Sequence, residues 1–208
     1  MKVTSSSKKI DHARGRGRPR EFDLDEALDQ IIRVLSERGY HGTSISDLVQ
    51  ATNLTQGSLY KAFKDKEAIF LAALERYRTV RANALQEAIG KHGNGIEQLR
   101  RALTFYAASS TGEQGQQGCL VAGSLAELST FPEQVSQHIQ TALKRNEVLL
   151  SQLIKKGQED GSIPTHINSE ASARMLLCLI QGMRIVGKSG CTHGHMNEVV
   201  DTALKALT

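Results

Sequence analysis

The run Gln56-Gly57-Ser58-Leu59-Tyr60-Lys61 sets an amide, a hydroxyl, a phenol and an ammonium close together. Such groups recognise by hydrogen bonding rather than break bonds. A Gln side chain pairs bidentately with adenine, and a Lys donates to guanine, so Gln56, Ser58 and Lys61 are candidates to reach base edges. Thr43, Tyr60, Lys64 and Lys66 flank them with hydroxyls and positive charge suited to phosphate oxygens, which fix register rather than sequence.

The surrounding residues must position these groups, and they read as three helix starts in succession. Ser44 stands three residues before Asp47 and can accept from the amides of a helix opening near Ile45. Asn53 tolerates the left-handed exit that a tight turn needs. Thr55 can cap a second short helix, and Asp65 with Glu67 favours a third. The expectation is helices over about 45–51 and 56–63, backed by a helix opening at Asp23 and ended by Gly39. Leu48, Val49, Leu54, Leu59 and Phe63 then form a small core. Two short helices joined by such a turn are a helix-turn-helix, whose second helix enters the DNA major groove.

The pattern Thr43-x-x-x-x-Leu48, Leu54-x-x-Gly57-Ser58-Leu59-Tyr60-x-x-Phe63-x-x-Lys66-Glu67, with the preceding Gly39-Tyr40-x-Gly42-Thr43 link, resembles the TetR family of bacterial transcriptional repressors. The resemblance covers residues 22 to 75. It implies an all-α fold, with an N-terminal three-helix helix-turn-helix DNA-binding domain and a C-terminal helical ligand-binding and dimerisation domain. It also implies that Tyr60 donates to a phosphate, and that the helix over 66–89 links ligand pocket to DNA.

Charge is distributed unevenly. Residues 1 to 22 hold seven bases against two acids, which leaves −1 on the remainder of a chain whose total is +4. Residues 1–21 therefore read as a disordered basic arm ahead of a DNA-binding unit at 22–66. Within the arm, Arg16-Gly17-Arg18-Pro19-Arg20 resembles an AT-hook core. Arg16, Arg18 and Arg20 suit either a narrow minor groove or unselective phosphate attraction.

Residues 67–208 read as the effector-binding and dimerisation domain, with further helices over about 95–110, 118–129, 133–160, 169–188 and 195–207. Thr111 to Gly118, rich in Gly and Gln, reads as a flexible separator. The 169–188 helix leaves almost no polar face, so it should meet both its own core and a second subunit. With Val199, Val200, Ala203, Leu204 and Leu207 of the last helix it would build a four-helix homodimer contact. A two-fold dimer also presents two recognition helices one DNA turn apart.

Cys119 sits at the expected start of a helix, where positive charge favours thiolate, with Lys188 as a further cation. Gly118-Cys119-Leu120, with Gly182 and Lys188, resembles a TetR subgroup that senses electrophiles and oxidants through a cysteine. The opposing reading is an inert core thiol. Cys178, inside an apolar run, reads as core. Gln181, Arg184 and Lys188 fall at i, i+3 and i+7, able to anchor a polar or anionic ligand or to pair across an interface. Phe105, Tyr106, Leu120, Met175 and Met183 could line an apolar pocket or be ordinary core. Cys191-x-His193-x-His195 lacks an evident fourth ligand, so neither a metal nor any other cofactor is expected. An enzyme acting through Cys119 lacks a neighbouring His and acid in sequence.

Three cysteines without framework spacing suit a reducing cytoplasm. No apolar run reaches membrane-spanning length, and Met1 to Lys9 shows no secretory signal. The partners expected are a double-stranded DNA operator, a second copy of the chain, and a small-molecule or electrophilic effector. An effector-independent architectural DNA-binding protein is the alternative.

Overall fold

The computed structural model describes residues 23–208, all of whose regular elements are helical. The basic arm, with Arg16, Arg18 and Arg20, lies outside the described residues. The elements are α1 (Leu24–Arg38), α2 (Ile45–Thr52), α3 (Gln56–Ala62), α4 (Lys66–Ile89), α5 (Gly95–Ala108), α6 (Gly112–Gln117), α7 (Leu120–Ala126), α8 (Glu133–Glu159), α9 (Ser169–Val186) and α10 (His193–Lys205). Short 3-10 turns follow α7 at Leu128–Thr130 and α9 at Gly187–Ser189.

Local chemistry accounts for the helix ends. The Asp23 carboxylate accepts from the amides of Asp25 and Glu26 and opens α1; Gly39, at φ 76, closes it where a side chain would be strained. Ser44 and Asp47 form a reciprocal capping box at α2, which ends on Asn53 in the left-handed region at φ 53. Thr55 caps α3 and Asp65 caps α4. At 24 residues α4 spans about 36 Å, long enough to leave the N-terminal head and run through the second half of the molecule.

Two apolar cores divide the molecule. One joins α1, α2, α3 and the first half of α4, and continues without a break into Leu120 and Val121 of α7 and Phe131, Val135 and Ile139 around the start of α8. The other joins the end of α4 with α5, the second half of α8, α9 and α10. An aromatic cluster marks the junction between head and C-terminal helices. Tyr40 lies 5.1 Å from Phe70 and 5.0 Å from Phe131, and Phe131 stacks on Phe70 at 5.2 Å.

Several sequence expectations change. Thr111–Gly118 is not a loose separator: residues 112–117 form α6, and Gly115 sits so close to the Ser110 backbone that a side chain there would collide. A missing side chain, rather than mobility, explains that glycine. Val49 and Leu54 are only half-buried. Cys178 is exposed, not core, because α9 carries an apolar face with Met175, Ile185 and Val186, 43%, 56% and 53% exposed, that packs on nothing in the single chain. On α10 the dimer expectation also shifts. Val200, Leu204 and Leu207 are buried in the chain's own second core, leaving Val199 exposed.

Candidate functional site

The head presents α3 as expected. Gln56, Tyr60 and Lys61 are exposed on it and Ser58 is half-exposed, while Lys64 is exposed just beyond it. Leu59, on the opposite face, is fully buried. Thr55 holds the first turn by accepting from the Ser58 amide at 3.1 Å, and the two hydroxyls share a hydrogen bond of 2.9 Å. Ser58 is therefore tied to the cap as well as facing outward.

Two residues expected at phosphates are committed inside the head. Thr43 is 1% exposed, and its hydroxyl donates to Gly39 O at 2.7 Å. It braces the α1–α2 turn and is not free to meet a phosphate. Lys66 donates from Nζ to Tyr40 O at 2.6 Å and lies 4.3 Å over the Tyr40 ring. Burial lowers its ammonium pKa from the ordinary lysine value, against the raising influence of Glu127 and Asp47.

A second site lies in the C-terminal half. A cavity of about 740 Å³, open to solvent on one side, is lined by α4, α5, α7, α8 and α9, and its wall includes Tyr77, Tyr106, Cys119, Leu149, Gln181 and Arg184. Of the pocket residues expected from sequence, Tyr106, Cys119, Gln181 and Arg184 belong to this wall. Phe105, Leu120, Met175, Met183 and Lys188 do not. Leu120 and Met183 are buried in the cores, Met175 faces outward, and Phe105 sits under the Arg81 guanidinium at 4.4 Å.

Lys188 departs for a definite reason. The α-helix ends at Val186, and Lys188 stands in the 3-10 turn beyond it, next to the end of α1. Its Nζ donates at 3.4 Å to Ser36 O and to Glu37 O, carbonyls at the end of α1. Lys188 thus ties the C-terminal helices to the head.

The cation beside Cys119 is Arg184. Arg184 is 3% exposed and donates from Nη2 to Gly118 O at 2.7 Å, while its Nε and Nη1 have no hydrogen-bond partner among the described residues. Gln181 Oε1 and Arg78 Nη2, on the same wall, are likewise buried without partners. Cys119 is the N-cap of α7: its sulfur accepts from the Ala122 amide at 3.5 Å and from the Tyr77 hydroxyl at 3.1 Å. Burial pushes the thiol pKa up, but Arg184, the Tyr77 hydroxyl and the Ala122 amide outweigh it and leave the net below the ordinary thiol value. Tyr77 and Tyr106 move the other way. Burial raises both phenols, that of Tyr106 to about 12.

The opposite end of α7 reaches the head. Glu127 Oε2 accepts from the amides of Tyr40 at 3.1 Å and His41 at 3.4 Å, in the turn between α1 and α2. One short helix therefore begins at the cavity with Cys119 and ends on the helix-turn-helix with Glu127. Sequence reasoning missed Tyr77, Arg78 and Arg81 as cavity residues. Cys191, His193 and His195 flank the start of α10, and among the described residues no cluster of His, Cys, Asp or Glu could hold a metal ion. No helix of the described residues is long and apolar enough to cross a membrane.

Comparison with known proteins agrees with this geometry. Residues 27–73 match the family described as bacterial regulatory proteins, tetR family, and residues 95–201 match the tetracyclin repressor-like C-terminal domain. The chain is 30% identical over 200 residues to the HTH-type transcriptional repressor ComR of Escherichia coli (strain K12), covering 92% of each. It is 26% identical over 155 residues to the repressor NemR of the same organism, covering 73% of this chain and 77% of NemR. The solved structure of a cysteine mutant of the TetR family regulator CifR, complexed with 26 bp double-strand operator DNA, superposes with a TM-score of 0.82 at 28% identity, covering 92% of this chain and 100% of that one. With a helix-turn-helix head and a helical C-terminal domain both matched, this chain belongs to the TetR family of bacterial regulatory proteins and is a DNA-binding transcriptional regulator.

Proposed function

We propose that the protein is a homodimeric repressor that holds a palindromic double-stranded operator with two α3 helices and releases it when an effector occupies the cavity or reacts with Cys119. The observation that carries this reading is the course of α7, which starts on the cavity wall and ends on the α1–α2 turn. Gripping two half-sites needs one fixed separation of the recognition helices. A small displacement of α7, passed through Glu127 to the head, is enough to lose that separation.

Support for the dimer comes from the bare apolar face of α9, with exposed Val199 on α10. An uncovered face of this kind favours a second copy of the chain. Support for operator binding comes from the exposed polar side of α3 and from the CifR–operator complex. Support for an effector comes from unpartnered polar atoms on a cavity wall, which cost stability unless a ligand satisfies them.

The test starts by selecting a duplex from a random pool and weighing the complex by analytical ultracentrifugation. Two chains on a sequence with dyad symmetry, displaced by a thiol reagent or a small molecule, agree with the proposal. A single chain per duplex contradicts it. Tight binding that no effector disturbs favours an architectural DNA-binding protein instead.

A further inference from the structure

The cavity wall carries more positive charge than it neutralises. Arg78, Arg81, Lys144, Arg145 and Arg184 line it with a single acid, Glu75, while Lys144 pairs at 3.1 Å with Glu147 outside that wall. Arg78 already pairs with Glu75 at 3.0 Å, and Arg81 donates to Ser109 Oγ at 2.9 Å. Arg184 is different, being buried and having no carboxylate partner among the described residues. A buried guanidinium without a counter-charge is costly, and a ligand that brings one recovers that cost.

Resting on the effector reading above, we infer that the ligand of this cavity is an organic carboxylate, bound by its head group on Arg184 and in competition with the Cys119 thiolate for that same cation. One buried guanidinium whose Nε and Nη1 lack hydrogen-bond partners among the described residues calls for a single negative charge, and Arg–carboxylate pairing is a strong directional bond. The apolar body of the acid lies along Tyr106, Val121 and Leu149, which line the same space. A volume of about 740 Å³ accepts an acid of medium chain length or an aryl acid.

The competition follows from charge. Without ligand, Arg184 is the main attraction drawing the Cys119 thiol toward thiolate against burial. A carboxylate on Arg184 cancels that attraction and adds a negative charge beside the sulfur, so the thiol holds its proton to higher pH. Carboxylate binding and thiol chemistry are then mutually exclusive inputs to one switch.

Octanoate and benzoate, with octanamide and benzamide as neutral isosteres, provide the test on the full-length protein. Calorimetry is expected to give at least tenfold tighter binding for each acid than for its amide. Alkylation by iodoacetamide, followed by mass spectrometry in a Cys178→Ser, Cys191→Ser background, is expected to show a pH midpoint that moves upward under saturating octanoate. Plain steric shielding would lower the plateau rate and leave the midpoint in place. Cys119→Ser, which conserves size and removes the competing thiolate, should bind octanoate more tightly at alkaline pH than the wild type does. Arg184→Met should abolish the preference for acid over amide, with circular dichroism checking that it folds. Equal affinity for acids and amides, no binding of either acid, or an unmoved pH midpoint overturns the inference. None of these results touches operator binding or its release by thiol reagents, which are measured separately.

Discussion

The Tyr77 hydroxyl donates to Cys119 Sγ at 3.1 Å, joining the middle of α4 to the first residue of the α7 unit. This contact links the long helix under the head to the residue that Arg184 makes acidic. It also shifts the weight between the two sequence readings of Cys119. A donor hydroxyl, a backbone amide and a guanidinium around the thiol lower its pKa against the effect of burial, surroundings that favour reactivity over packing filler.

Removing that donor should be visible in kinetics. Because the net shift of the Cys119 thiol is downward, wild-type alkylation should reach its plateau at lower pH than a free cysteine peptide does. Tyr77→Phe deletes one stabilising bond to the thiolate, so the curve should move to higher pH and alkylation at neutral pH should slow several-fold. An unchanged curve would show that the hydroxyl does not act on the sulfur.

Glu127 is the corresponding contact at the head. Glu127→Ala leaves the Tyr40 and His41 amides without their acceptor. The expected loss is about 1–3 kcal/mol in urea denaturation, since hydrogen bonds to a charged group stand at the upper end of the usual range. Operator affinity should fall as well, and thiol modification should no longer change it. Full retention of that coupling would remove α7 from the path.

Lys61 and Lys66 should separate by type of effect. Lys61→Ala, on the exposed side of α3, should change preference among operator bases by about 1–3 kcal/mol and leave stability alone. Lys66→Ala removes the bond to Tyr40 O, so it should cost about 1 kcal/mol of folding stability and weaken binding to all sequences alike. Binding of a duplex panel, with parallel melting curves, distinguishes them.

Gly95 tests the packing behind the cavity. A Cβ at this position would land on the Gly157 backbone, where α5 meets α8. Gly95→Ala should destabilise by about 1–3 kcal/mol despite the better helix propensity of alanine. A thermal scan showing no loss would mean that the two helices part easily.

Sequence legibility followed the range of the interaction. Caps are local, so Ser44, Asn53, Thr55 and Asp65 disclosed the helix-turn-helix, and α3 is one residue shorter than expected. Arg184 and Gln181 were found because helical spacing alone puts them on one side of α9. Lys188 was misplaced because its Nζ is drawn to the Ser36 and Glu37 carbonyls of α1, a long-range contact that helical spacing does not disclose. Tyr77 and Arg78 were missed because a cavity made by five helices has no signature within any one of them. Residues 112–117 were read as a loop because glycine signals both freedom and close approach. Only the neighbouring Ser110 backbone decides between them.

Fluorescence anisotropy of a labelled, selected operator tests most directly whether events at Cys119 reach the DNA. One equivalent of N-ethylmaleimide would be added to complexes of the wild type and of Cys119→Ser, each in a Cys178→Ser, Cys191→Ser background. The first complex should dissociate and the second stay bound. If both remain bound, or both fall apart, Cys119 does not control the head.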